Sequence, residues 1–172
     1  TGDVKVADPV GDVSVNNTGT GTVLVEGLDE GRTVTSSGNG PVVVMEPAGD
    51  LSVANLGSGL VTVVALDDGA TLTASGAGNT LVSQPEGDLT VHNEGPGNVG
   101  VQGLGDGRTV NASGSAPIGI LNPVGDMALH NGSEGPVFVR GLADGASLDV
   151  GGAGSTYLTD ARGGLLVVNA GS

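Results

Sequence analysis

The sequence predicts an all-β fold, a parallel β-solenoid (β-helix) of about nine coils, and three observations carry that expectation. The first is a period. Pro9, Pro47, Pro85 and Pro123 stand 38 residues apart, each opens a Pro-x-Gly-Asp sequence, and nothing is inserted between them. Each 38-residue unit divides into halves of 19, because Val15 overlays Val34, Gly19 overlays Gly38, Gly21 overlays Gly40, Val23 overlays Val42 and Val25 overlays Val44. The second is alternation: Val13-Ser14-Val15 and Val23-Leu24-Val25 have the period of two and the β-branched residues of short strands, which rules against helix. The third is composition. With 34 glycines, one Phe, one Tyr and no Trp in 172 residues, the chain lacks the large side chains of an ordinary core and suits a stack of Val, Leu and Ile.

Two strands and two turns in 19 residues make one coil of a right-handed parallel β-solenoid, each strand pairing with its equivalent in the next coil. The chain is then one tandem-repeat domain, 1–172: a half-coil 1–8, double coils 9–46, 47–84, 85–122 and 123–160, and a half-coil 161–172. One turn carries Gly-x-Gly (Gly38/Gly40, Gly57/Gly59, Gly76/Gly78, Gly95/Gly97, Gly152/Gly154), where positive φ is expected. The other carries Gly-Asp or Asp-Gly. Stacking predicts an inward column of Val15, Val34, Val53, Leu72, Val91, Val110, Leu129, Leu148 and Val167. A second column holds Val6, Val25, Val44, Val63, Val82, Val101, Ile120, Val139 and Leu158. A third alternates Pro9, Leu28, Pro47, Leu66, Pro85, Leu104, Pro123 and Leu142, which makes the strict period two coils. Nine coils at roughly 4.8 Å give a rod of about 43 Å. A β-propeller-like array is the alternative, since about 40 residues and four strands make one blade. Thr1–Asp8 and Ala161–Ser172 together supply only about one coil and so do not complete a blade, which favours the solenoid.

The step Gly-Asp-[Leu/Val]-[Ser/Thr]-Val-x-Asn, followed by a Gly-rich turn and a second Val-x-Val strand, runs from Pro9 to Asn169. It is clearest in Gly49-Asp50-Leu51-Ser52-Val53-Ala54-Asn55 and Gly87-Asp88-Leu89-Thr90-Val91-His92-Asn93. It resembles the haemagglutinin-type repeats of large secreted bacterial adhesins, the filamentous haemagglutinin family. That resemblance implies a right-handed parallel β-helix used as an extracellular stalk or adhesive fibre. The chain departs from the family in its two-coil alternation.

A net charge of −14 with five Lys and Arg argues against nucleic acid and anionic membrane as partners, and leaves cations and neutral polymers. Absence of cysteine excludes disulfides and thiolate metal sites. No apolar run is long enough to span a membrane, so membrane insertion is not expected. The opening on Thr1 fits a processed or trimmed product.

One carboxylate per coil falls at one turn: Asp12, Glu30, Asp50, Asp68, Asp88, Asp106, Asp126 and Asp144. Stacked roughly 5 Å apart they form an acidic edge that Ca²⁺ could bridge, or each could bond backbone N–H groups of its own turn. Calcium is the one cofactor this pattern suggests, and none is required. A hydroxyl ladder of Ser14, Thr33, Ser52, Thr71, Thr90, Thr109 and Ser147 is expected to face outward. It suits ice or carbohydrate binding, or simple cross-strand pairing. Ice would need a second rank two residues on, and Asn16, Thr35, Ala54, Thr73, His92, Asn111, His130 and Asp149 do not supply one. Asn17, Asn55, Asn93, Asn131 and Asn169 open the Gly-rich turns and are expected to satisfy turn backbone. His92 and His130, two coils apart, are too distant to share a metal ion, and Arg32 and Arg108 are expected to pair with the acidic edge. No nucleophile–base pair and no interruption of the repeat points to an enzyme. The chain starts and stops in the same register, so Ser172 of one copy could precede Thr1 of the next with the repeat almost unbroken, as in head-to-tail stacking. These features together suggest a secreted structural or adhesive element that self-associates into a filament or forms part of a longer stalk. A polysaccharide or a cell-surface receptor is the other class of partner. The alternatives are an ice- or carbohydrate-binding module and a calcium-dependent matrix protein.

Overall fold

The computed structural model describes residues 2–162 and 166–169. The first strands are β1 (Val4–Ala7), β2 (Val13–Asn17), β3 (Val23–Glu26), β4 (Arg32–Gly38), β5 (Val42–Met45) and β6 (Leu51–Asn55). The middle of the chain forms β7 (Val61–Val64), β8 (Thr71–Ser75), β9 (Thr80–Ser83), β10 (Leu89–Asn93), β11 (Val99–Gln102) and β12 (Arg108–Gly114). The last are β13 (Ile118–Leu121), β14 (Met127–Asn131), β15 (Val137–Arg140), β16 (Ser147–Gly151), β17 (Thr156–Thr159) and β18 (Leu166–Asn169). Odd-numbered strands form one sheet of nine and even-numbered strands a second sheet of nine, each strand hydrogen-bonded to the strand two further along the chain. All pairs are parallel, so the molecule is a β-solenoid of two sheets, with eight 19-residue steps from β1 to β17. A propeller, built from antiparallel blades, is ruled out.

The core lies between the sheets. In the odd sheet the step is 19 throughout, stacking Val6, Val25, Val44, Val63, Val82, Val101, Ile120, Val139 and Leu158 as expected. The seven members from Val25 to Val139 are fully buried. Burying each valine side chain stabilises the rod by about 1.5–3 kcal/mol, so smallness is offset by number. Leu28, Leu66, Leu104 and Leu142 fill the corner and alternate with Pro47, Pro85 and Pro123, also buried, while Pro9 is half-buried in the first coil.

The even sheet corrects the expected first column. Val15 pairs with Ser36, and Val34 pairs with Val13: the step from an odd coil to the next is 21, and from there onward 19. The same alternation recurs as Leu51↔Leu72, Leu72↔Val91, Leu89↔Val110, Val110↔Leu129 and Met127↔Leu148. Its cause is a turn of unequal length. Pro9 precedes the first inward strand residue, Val13, by four positions, whereas Leu28 precedes Val34 by six. The shorter turn leaves room for a third inward residue, so Val13, Val15 and Asn17 point inward where the following coil offers Val34 and Ser36. The side chains of Val167 and Asn169 lie outside the described residues.

Two further features set the turns. The residue before each Pro or Leu of the corner column has positive φ, namely Asp8, Gly27, Glu46, Ala65, Gln84, Gly103, Asn122 and Gly141, and Asp160, before Ala161, repeats it. Six of these are not glycine and hold φ between 47° and 55°, a conformation that costs an L-residue about 1–2 kcal/mol. The expected positive φ in Gly-x-Gly is found at Gly38, Gly76 and Gly152 but not at Gly57 or Gly95. There glycine is demanded by stacking instead, because a Cβ at Gly57 would overlap the carbonyl oxygen of Gly38.

Candidate functional site

The acidic edge is a spine of capping bonds between coils. Asp12, Asp50, Asp88 and Asp126 end the shorter turns, and their Oδ1 atoms accept the backbone N–H of Thr33, Thr71, Thr109 and Ser147 at 2.8, 2.7, 2.8 and 2.6 Å. Asp68 and Asp106, in the longer turns, accept the N–H of Asp88 and Asp126, each at 2.7 Å. The Glu30 side chain packs against Gly49, whose N–H donates to Asp67 Oδ2 at 3.0 Å, and Asp144 is also engaged. Asp12, Asp50, Asp68, Asp88, Asp106 and Asp126 thus serve the backbone of the next coil rather than of their own turn, and for the four in the shorter turns the spacing of 21 from Asp to Thr or Ser is the signal that foretells it. Charge-assisted bonds of this kind are stronger than neutral ones. Arg108 pairs with this edge, at 3.9 Å from Asp68, whereas Arg32 lies 3.8 Å from Asp29, the residue before the edge carboxylate Glu30. Both pairs are solvated and contribute little. Among the described residues no group of three or more His, Asp or Glu side chains converges as a metal site.

The hydroxyl series lies on the outer face of the even sheet, where the 21/19 alternation divides it. Thr33 pairs with Ser52 and Thr71 with Thr90. Ser14, Ser52 and Thr90 then step sideways to Thr35, Thr73 and Asn111, while Thr109 pairs with Ala128 and Ser147 with Leu166. Two diagonal polar rows result. Thr33, Ser52, Thr73, His92 and Ser113 form one, closed by contact of His92 Nδ1 with Ser113 Oγ. Thr71, Thr90, Asn111 and His130 form the other, with His130 Nδ1 3.0 Å from Asn111 Oδ1. The two histidines stand in separate rows and do not meet.

The asparagine series is internal. Asn55 and Asn93 are buried at the start of the Gly-rich turn; Asn55 Nδ2 donates to Gly59 O and Asn79 O, and Asn93 Nδ2 to Gly97 O and Pro117 O. Asn17 makes the same pair of bonds, to Gly21 O and Pro41 O, and Asn131 bonds Ser155 O and Thr156 Oγ1. These side chains tie each turn to the next coil, as their position in the repeat suggests.

The outer face of the odd sheet carries what the inward columns did not reveal. Its central column is largely apolar, presenting Leu24, Val43, Leu81 and, at its far end, Phe138 and Tyr157, which stack with centroids 5.3 Å apart, while Lys5, Glu26, Gln102 and Arg140 share the face. No protein-family model, no curated protein and no solved structure matches the chain. No helix among the described residues is long and apolar enough to cross a membrane.

Proposed function

We propose that this chain is an extracellular structural or adhesive rod whose open sheet edges are covered by further parallel coils, contributed by a second copy stacked head to tail or by a longer stalk. One observation carries the reading. Among the described residues the terminal strands β1 and β17 of one sheet, and β2 and β18 of the other, are paired on one side only, and Val4, whose column points inward, is 52% exposed because none of these residues forms a coil over it. An unpaired strand edge over an uncovered apolar column is a template for another strand. The likeness of the coil to haemagglutinin-type repeats supports the adhesive and secreted part of the reading. The repeating Asp and Asn side chains bond backbone groups of neighbouring turns and coils, which suits a scaffold. The division of the hydroxyl series into diagonal rows favours this reading over ice binding.

Electron microscopy across a concentration series, with calcium and with chelator, tests it. Unbranched filaments with an axial repeat of about 43 Å are expected. Short rods at every concentration refute self-assembly. Filaments lost in chelator would add calcium to the acidic edge, whereas filaments indifferent to it leave the carboxylates as backbone acceptors.

A further inference from the structure

The geometry points to a saccharide-binding groove on the outer face of the odd sheet, taking an uncharged pyranose ring against Phe138. At the central outward position of this sheet successive coils carry Leu24, Val43, Thr62, Leu81, Gly100, Gly119, Phe138 and Tyr157. Gly100 and Gly119 sit mid-strand in Val-Gly-Val and Ile-Gly-Ile, where glycine weakens a strand and often marks close approach of a ligand. Neither has positive φ. Nor does stacking require them: a Cβ at Gly119 would have no atom nearer than 4.0 Å, and one at Gly100 would meet only the flexible tip of Leu81 at 3.1 Å. Backbone demands that explain the turn glycines do not explain these.

Together they floor a groove of about 510 Å³, within the range of small-molecule sites. Leu81 closes one end and Phe138 the other, three coil steps or about 14 Å apart. Phe138 and Tyr157 are the only aromatic side chains in the chain, and neither is used in the core: they are 41% and 53% exposed. Their planes lie 22° from parallel, so one face of Phe138 is covered by Tyr157 and the other looks along the column toward Gly119. The stack continues as two vacant places. A pyranose fits one of them because its axial C–H hydrogens meet the electron-rich face of an aromatic ring, while its equatorial hydroxyls point sideways. On that side stand Asn79, whose Oδ1 accepts the N–H of Asn98 at 3.1 Å, and the exposed amide of Asn98 itself. No charged side chain lines the groove of a chain with net charge −14, which selects a neutral ligand over an ionic one. This inference stands apart from the scaffold reading and from the hydroxyl face, and rods that never form filaments would leave it intact.

Tyr157 is the sole tyrosine and there is no tryptophan, so its emission reports on Phe138, the ring it stacks against at the end of the groove. The full chain is titrated with neutral gluco-, malto- and N-acetylglucosamine hexasaccharides, following tyrosine fluorescence and heat. Binding of at least one at a Kd of about 1 mM or tighter is expected. Gly119→Val fills the notch with a residue that suits the strand, and should weaken binding at least about tenfold while melting no lower than wild type. Phe138→Ala should weaken it similarly. The proposal is overturned if no saccharide in the panel binds at about 10 mM, if G119V binds as wild type does, or if a planar aromatic dye occupies the groove and saccharides do not.

Discussion

Replacement of Asn55 by Ala probes the device that joins each turn to the next coil. The Asn55 amide is fully buried and donates to Gly59 O at 2.9 Å and to Asn79 O at 2.7 Å. Losing two hydrogen bonds removes about 1 kcal/mol each. Asn79 O keeps the N–H of Val61 at 3.2 Å, but Gly59 O is left in a buried turn, a further cost of about 1–3 kcal/mol. Truncation also removes Asn55 Oδ1, which is buried without a partner and returns part of that cost, so the expected loss is about 2–4 kcal/mol in urea denaturation followed by far-UV circular dichroism, with amide exchange accelerated first from β6 to β9. Asn17→Ala removes the equivalent two bonds, of 2.8 and 2.9 Å, and the exposed 3.2 Å bond that Asn17 Oδ1 accepts from Gly19 N–H, from a half-buried site in the first coil, where water can replace them. It should cost about 1–2 kcal/mol. Asn55→Asp keeps the shape without any donor at neutral pH and should be at least as damaging as N55A. Should N55A fall within about 1 kcal/mol of wild type, or match N17A, the asparagines are fillers rather than ties.

Stacking should make one glycine position tolerant or intolerant according to whether a coil lies beneath it. A Cβ at Gly57 overlaps Gly38 O, while at the equivalent Gly19 the nearest atom is 3.6 Å away, so G57A should lose more than about 3 kcal/mol and G19A less than about 1 in the same denaturation assay. Leu66→Ala, at a fully buried corner, should cost about 2–5 kcal/mol, whereas Leu60→Ala, 43% exposed, should change thermal stability little. Like charges along the acidic edge repel through solvent, so melting temperature should rise between about 10 and 300 mM NaCl. Asp106→Asn, which retains an acceptor for Asp126 N–H, should flatten that rise. Calcium raising the melting temperature well beyond sodium at equal ionic strength would instead assign the edge to the ion.

The solenoid was legible because identical positions stack, and so the Val6 column and the Pro/Leu corner could be read straight from the period. The even sheet was not. A step of 21 keeps every side chain on the same face as a step of 19, so the alternation of valines cannot distinguish Val13↔Val34 from Val15↔Val34. What distinguishes them is turn length, and the clue is the pairing of Asp12 with Thr33 at the foot of the strand. The recurrent left-handed residue was hidden for a different reason. Asp8, Glu46, Ala65, Gln84, Asn122 and Asp160 hold that conformation without being glycine, so composition gives no sign of it. Outward positions pose the converse problem. They tolerate many residues, which lets Leu24, Val43 and Thr62 follow one another without consequence for the fold. The same tolerance means that two mid-strand glycines followed by the only two aromatics are not explained by folding. The inward positions of this repeat specify the rod, and departures at the outward ones are where a surface has been shaped.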